Sequence, residues 1–379
     1  MSHSNQVFMA ATSYPSDDND WKGLFIQRLV EALARRDDIA LRLWAPPGPL
    51  PRKVAPVLGR EEQGWLHGLM EAGGIAHLLR NHPMRGVLMA IRLLCSLRNA
   101  YVRHSDVNIR HVNWLQNAIT LPRDGSPVLL TALGTDMQLL ALPGIKPLLR
   151  YALRGHATAI CPNAQWMVEP LMRIFGDMAK VQYVPFGIDP KWFRIVRTCF
   201  DESPAERWVV VSRLTRGKLG PLFAWCESLF RNTHRQLHLF GPMQEEIAIP
   251  DWVHYHGSTT PDDLAERWFP QAHGLITLSQ HAEGRPQVML EAMAAGLPII
   301  ASRLLAHEDL LRDRETGWLC DTQEDLAEAM TALSDPQRNQ HIGLQAQNWT
   351  ATHIGTWDDC AHRYVVLYRM LQNAKRSTH

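Results

Sequence analysis

What most constrains this chain is an alternation, repeated along most of its length, of short apolar runs with longer stretches of helical periodicity. QVFMAA is an apolar run, SYPSDDND is turn chemistry, and GLFIQRLVEALARR carries apolar residues at helical spacing. IALRLWAP follows as a second strand, closed by PPGPLP, and PVLLTAL and ATAICP are further strands, each leading into a helical stretch. Strands separated by helices predict parallel sheets built from βαβ units. The segment VQYVPFGIDPKWF interrupts the pattern with Pro, Gly and Asp. A second cycle then begins with RWVVVSRL, GPLFAWCESLFRN and RQLHLFG and continues through WVHYHG, AHGLITLS and LPIIAS. The expectation is an α/β protein of two Rossmann-like domains, residues 1–188 and 189–356, each a parallel sheet flanked by helices. The last helix, over 357–376, is expected to pack back on the first domain. No internal repeat of fixed period is present.

Length agrees with this division, since 379 residues exceed one ordinary core and suit two domains. The formal net charge of +1 gives no whole-molecule footprint for nucleic acid, which is not expected as a partner. Charge is uneven, however: between Arg80 and Arg154, eight further basic residues face only Asp106, Asp124 and Asp136. The six cysteines are scattered without a CxxC pair, a pattern of free thiols in a reducing compartment. The opening MSHSNQVFMAATSYP does not read as a signal peptide, and no segment approaches the ~20 apolar residues that span a bilayer. The expected location is cytoplasmic.

The richest stretch is SQHAEGRPQVMLEAMAAGLPIIAS. An apolar strand ends, a loop follows, and Pro286 stands where a helix begins, a position proline suits because its missing N–H would be unpaired there. Gly296 is expected to close that helix. The backbone N–H groups near Arg285 to Val288 then point outward at the C-terminal edge of a parallel sheet, where open α/β sheets bind ligands and helix N-termini favour phosphate. Glu291 lies in an apolar helix, so its carboxylate needs hydrogen-bond donors, which the two hydroxyls of a ribose would supply. Glu283, just before the helix, is placed to reach the hydroxyls of a donor sugar.

EGRPQVMLE resembles the E-x7-E signature of retaining glycosyltransferases of family 4, and EAMAAGLPIIAS is similar to the run that follows it there. Upstream, SRLTRGK resembles the family's strand-end R-x4-K pattern, on Arg213 and Lys218. VPFGIDPKWF is similar to the family's linker strand, and HEDLLRDRETGWL to its late loop and strand, with Asp309 where glutamate is usual. Members often have aromatic and small residues where Arg285 and Pro286 stand. The resemblance implies the GT-B fold, two Rossmann-like domains facing across a cleft, and a nucleotide-diphosphate sugar as co-substrate. Neither a cofactor nor a bound metal is expected. It implies a donor site of Gly23, Arg213, Lys218, Glu283, Gly284, Arg285, Pro286, Gln287 and Glu291, with the two cations on the diphosphate. A departing phosphate gains negative charge, and fixed cations stabilise it.

IRHVNWLQ and LTALGTDMQLL resemble two further family segments, an H-x-H-W strand end and an H-G-S-D loop. The first keeps His111 and Trp114 but has Asn113; the second keeps Gly134, Thr135 and Asp136, with Leu133 in place of histidine. His111 is therefore the candidate residue lining the reaction centre on the acceptor side, with Asp136; the other reading is a core histidine. Asp18-Asn19-Asp20 spells a D-x-D but reads as loop and helix-cap chemistry, not as a metal site. MRGVLMAIRLLCSLRNAYVR, with Arg85, Arg92, Arg98 and Arg103, reads either as a core-facing helix with an arginine face or as one lying on an anionic bilayer. The resemblance favours the second, because many relatives act on lipid-linked or envelope acceptors, and it implies peripheral contact with the inner membrane face. The expected activity is retaining transfer of a sugar to a cell-envelope glycan or glycolipid, such as a lipopolysaccharide core or an exopolysaccharide. The alternatives are a non-catalytic sugar-nucleotide-binding protein and an epimerase or phosphorylase on the same fold. A dinucleotide-dependent dehydrogenase lacks its G-x-G-x-x-G after the first strand.

Overall fold

The computed structural model of the chain describes residues 4–17, 20, 22–200 and 205–376. The chain divides into two compact units, one comprising Met1–Phe186 with Trp357–His379, the other Gly187–Thr356.

Among the described residues, the first unit holds seven parallel strands: β1 (Asn5–Ala10), β2 (Ile39–Trp44), β3 (Val54–Pro56), β4 (Ile109–Asn113), β5 (Val128–Ala132), β6 (Thr158–Pro162) and β7 (Lys180–Val181). Their order is β3-β2-β1-β4-β5-β6-β7. The helices are α1 (Leu24–Ala34), α2 (Arg60–Glu71), α3 (Gly74–Asn81), α4 (Pro83–Arg103), α5 (Thr135–Leu140), α6 (Ile145–Leu153) and α7 (Val168–Phe175). Strands β4, β5 and β6 are buried along their whole length, which is why VLLTA and TAICP read as continuous apolar runs without alternation. Helix α1 buries Ile26, Leu29, Val30 and Leu33 at the i, i+3, i+4, i+7 spacing of a single face. That face shares a core with Trp357, Ala361, Tyr364 and Tyr368 of the last helix, Trp357–Arg376. Each large apolar side chain buried there stabilises the unit by roughly 1.5–3 kcal/mol. Strand β3 was not foreseen, being a three-residue edge segment too short to show a period.

The second unit repeats the plan. Its six described strands are β8 (Glu206–Val211), β9 (Arg235–Phe240), β10 (Val253–Tyr255), β11 (Gly274–Thr277), β12 (Ile299–Ser302) and β13 (Trp318–Cys320), all parallel, in the order β10-β9-β8-β11-β12-β13. Its helices are α8 (Arg216–Leu219), α9 (Leu222–Phe230), α10 (Pro261–Asp263), α11 (Gln287–Ala294), α12 (Leu305–Glu308), α13 (Gln323–Leu333) and α14 (Pro336–His353); α15 (Trp357–Arg376) returns to the first unit. Helix α11 ends as the sequence predicts. Gly296 takes φ 72°, its N–H donates to the carbonyl of Met293, and the N–H of Leu297 donates to that of Ala292. Together these bonds satisfy carbonyls that the helix end would leave bare.

Both sheets are doubly wound. Strand order reverses between β1 and β4 in the first and between β8 and β11 in the second. Connections leave in opposite directions at such a point, so a crevice opens beyond the strand C-termini where ligands gather.

Candidate functional site

The two strands flanking the switch point of the second sheet deliver the residues that the sequence singled out. Strand β8 runs into Ser212 and Arg213. Thr215 then caps α8, its hydroxyl accepting the Lys218 backbone N–H at 3.2 Å. Gly220 closes this single turn at φ 54°, and a Cβ there would come within 2.1 Å of the Leu278 carbonyl oxygen. The Gln280 N–H donates to the Gly217 carbonyl at 2.8 Å. The turn after β8 is thus clamped to the loop after β11, and the clamp sets Lys218 against Glu283 in an ion pair whose side chains are each 13% exposed.

Burial holds the Lys218 ammonium below its usual range and the Arg213 charge adds to this, while Glu283 opposes both. The Ser279 hydroxyl donates to Glu283 Oε1 at 3.3 Å, and the Ser302 hydroxyl donates to the Ser279 carbonyl at 2.5 Å. His307, absent from the sequence expectations, completes this layer. It is fully buried, and its Nδ1 lies 2.7 Å from the Ser302 carbonyl oxygen. A carbonyl only accepts, so Nδ1 carries the hydrogen. Burial lowers the pKa of this ring, and Glu283 and Lys218 act on it electrostatically in opposite senses. No spacing rule pointed to His307, because its relation to Glu283 arises only when β11 and β12 lie side by side.

Chemically, the arrangement offers two cations at the C-terminal edge of a parallel sheet, one held against a carboxylate. At an effective dielectric constant near 20, a cation about 4 Å from a phosphate charge contributes about 4 kcal/mol of attraction.

The loop from Glu283 to α11 is anchored at several points. Arg285 turns its guanidinium into the unit, where Nη2 donates to Asp309 Oδ2 at 3.0 Å; these side chains are only 2% and 6% exposed. The pair joins two of the positions that depart from the family pattern. The carboxylate holds the Arg285 side chain in the interior. Pro286 is the N-cap, with extended backbone, and the helix begins one residue later at Gln287 rather than with the proline in its first turn. Gln287 Nε2 donates to the Gly187 carbonyl at 3.0 Å. Glu291 is half-buried and follows Gln287 by one turn, so the two share a face of α11.

The first unit does not place the acceptor-side candidates at a surface. His111 is fully buried in β4, with Nδ1 2.6 Å from the Tyr368 hydroxyl and Nε2 2.7 Å from Thr131 Oγ1. Burial pushes its pKa down to about 3. It is a core histidine joining β4, β5 and α15, which corrects its reading as a residue lining the reaction centre. Asp136 is also fully buried. Its carboxylate accepts the Leu115 N–H at 2.7 Å and the Leu133 N–H, and burial raises its pKa to about 6. It ties the loops after β4 and β5 together. Gly23 is the N-cap of α1 at φ 72°, where a Cβ would lie 2.7 Å from the Ser13 carbonyl, so its own loop requires the glycine. Trp114, by contrast, ends β4 half-buried at φ 64° and packs edge-on to Phe25.

Asp18 and Asn19 of the D-x-D lie outside the described residues. Asp20 accepts the backbone N–H groups of Ser16 and Lys22 at 3.1 and 3.0 Å, as a turn residue does. Among the described residues, no helix is long and apolar enough to cross a membrane.

Residues 209–335 match the family model described as Glycosyl transferases group 1, a segment that contains Arg213, Lys218, Glu283 and Glu291. A D-inositol 3-phosphate glycosyltransferase of Thermomonospora curvata is 27% identical over 136 residues, which cover 35% of this chain and 31% of that protein. The aligned region is about a third of the length of the curated relatives that the chain matches. Sucrose-phosphate synthase from Thermosynechococcus elongatus has a similar fold, with a TM-score of 0.69 at 17% identity, covering 98% of this chain and 100% of that one. The Anabaena protein HepE, solved with UDP and glucose, gives a TM-score of 0.62 at 15% identity over 96% and 99% of the two chains. The chain therefore carries the GT-B fold, and residues 209–335 of its second unit resemble the Glycosyl transferases group 1 family.

Proposed function

We propose that the chain is a metal-independent glycosyltransferase that moves a sugar from a nucleotide-diphosphate donor, with retention of anomeric configuration, to a cell-envelope glycan or glycolipid. A lipopolysaccharide core or an exopolysaccharide fits as acceptor. The observation that carries this reading is the Lys218–Glu283 pair at the switch point of the second sheet, with Arg213 acting on the same lysine. In this mechanism Arg213 and Lys218 hold the donor diphosphate. As the glycosidic bond breaks, the bonding pair leaves with the phosphate, and these cations stabilise the charge that builds there. Glu283 accepts hydrogen bonds from the donor sugar and Glu291 from the ribose hydroxyls. The acceptor hydroxyl attacks the face from which the diphosphate departs, and its proton passes to the departing phosphate. This route needs no side-chain nucleophile paired with a base. HepE, solved with UDP and glucose on a similar fold, supports a uridine nucleotide as the first donor to test.

The test is release of nucleoside diphosphate from a nucleotide sugar. Transfer predicts slow release from the donor alone and at least tenfold faster release when a lipid-linked or oligosaccharide acceptor pool is added. Equal rates with and without acceptor, or a sugar nucleotide isomer as product, would instead mark a hydrolase or an epimerase.

A further inference from the structure

Helix α12 and its flanks hold the loop that carries Glu283 at both ends. At the far end Asp309, just past α12, takes the Arg285 guanidinium. At the near end the hold runs through His307. Its Nδ1–H donates to the Ser302 carbonyl at 2.7 Å and closes the turn that leads from β12 into α12. With that carbonyl fixed, the Ser302 hydroxyl is turned onto the Ser279 carbonyl at 2.5 Å. Ser279 is itself buried; its hydroxyl donates to Glu283 Oε1 and accepts the His281 N–H at 3.1 Å. A chain of hydrogen bonds thus runs from the imidazole, through Ser302 and Ser279, to the carboxylate.

Apolar packing alone does not call for a histidine here. The ring is fully buried, and its Nε2 has no hydrogen-bond partner among the described residues. A buried polar atom left unpaired is destabilising, and an apolar side chain of similar size would avoid that cost. What the imidazole supplies instead is a rigid ring with a single fixed donor. Burial lowers its pKa, and the charged groups that act on it are Glu283 and Lys218, of opposite sign. The ring is therefore neutral near pH 7, and it steadies the Glu283 loop without adding a charge that would compete with Lys218. Such precision matters for a carboxylate that must meet sugar hydroxyls, because small errors of placement at a reacting centre are costly.

We infer that His307 is a positioning residue for sugar transfer: through Ser302 and Ser279 it sets the Glu283 carboxylate against the donor sugar, and it takes no part in holding the nucleotide. This role rests on the reading of Glu283 as the sugar contact and of Arg213, Lys218 and Glu291 as the nucleotide contacts. Lys218 is framed separately, by Thr215 and Gly220, and Glu291 lies on α11. Loss of His307 should therefore slow transfer and spare the binding of nucleoside diphosphate.

Release of diphosphate from UDP-glucose, ADP-glucose and GDP-mannose by the full chain, with an acceptor pool present, tests this beside the binding of the free diphosphates. His307→Leu is expected to lower kcat by about 10- to 100-fold, the scale of a small misplacement at a reacting centre, with diphosphate affinity within about twofold of the wild type. Ser302→Ala, which removes only a hydroxyl, should show the same split, and it serves where His307→Leu fails to fold. His307→Asn should recover most of the rate, because its amide N–H can take the place of Nδ1–H on the Ser302 carbonyl. Wild-type rates in both His307→Leu and Ser302→Ala overturn the inference. A parallel loss of rate, diphosphate affinity and melting temperature in both also overturns it, since that pattern marks a structural role alone. So does a His307→Asn protein as slow as His307→Leu. A wild type that binds none of the diphosphates contradicts the donor reading and this role with it, a result distinct from the others.

Discussion

Replacing Lys218 with alanine is expected to lower the turnover number for sugar transfer by about 100- to 1,000-fold, the usual loss when one preorganised transition-state contact is removed. The size follows from the site. Lys218 is largely buried and held against Glu283, and Thr215 and Gly220 shape the turn that carries it. Its charge is therefore fixed in place before the diphosphate begins to leave. The donor KM should change by a smaller factor, because Arg213 continues to hold the ground-state diphosphate. Lys218→Arg tests position rather than charge: a longer, planar head in the same turn should recover only part of the rate. Steady-state kinetics with a saturating donor separates the effects. A Lys218→Ala protein with full turnover and only a raised KM would assign the lysine to binding alone.

Asp309→Ala is expected to destabilise the second unit by about 3–5 kcal/mol, since it strands the buried Arg285 guanidinium without its carboxylate. For a unit of this size that loss lowers its melting temperature by on the order of 10 °C. The double variant Arg285→Met/Asp309→Leu should regain most of the loss, because well-packed apolar residues often replace a buried ion pair at little cost. Thermal unfolding of both variants checks the pair. An Asp309→Ala protein that melts with the wild type would show that Arg285 is stabilised by other contacts. The pair bridges the loop before α11 to the end of α12, so the single variant should also weaken donor binding by loosening the loop that carries Glu283.

These residues show how far sequence reaches. The βαβ alternation is a local pattern, so both sheets were legible in advance; the pairing of Lys218 with Glu283 was not, because the family resemblance only put the two residues in one donor site. Gly296 was legible, as a left-handed helix terminus leaves a local signature. His111 was not, because the hydroxyl that fixes its ring belongs to Tyr368, 257 positions away on a helix that crosses back to the first unit. A histidine inside an apolar strand looks the same whether it faces a ligand or the core. Arg285 and Asp309 appeared as two separate departures from the family pattern; only the fold shows them as one interaction. His307 gave no signal, since its neighbours Ser302 and Glu283 reach it through the adjacency of β11 and β12.

The central claim is that the second unit binds a nucleoside diphosphate at the β8–β11 switch point. Thermal unfolding of the full chain with uridine, guanosine and adenosine diphosphates tests it most directly. One of them, at ~100 times its dissociation constant, should add about 2.7 kcal/mol to the stability of that unit. The gain should shrink in Glu291→Ala, where the ribose contact is lost, and in Lys218→Ala, where a phosphate contact is lost. No shift from any of the three, or a shift that both variants retain in full, would contradict the account.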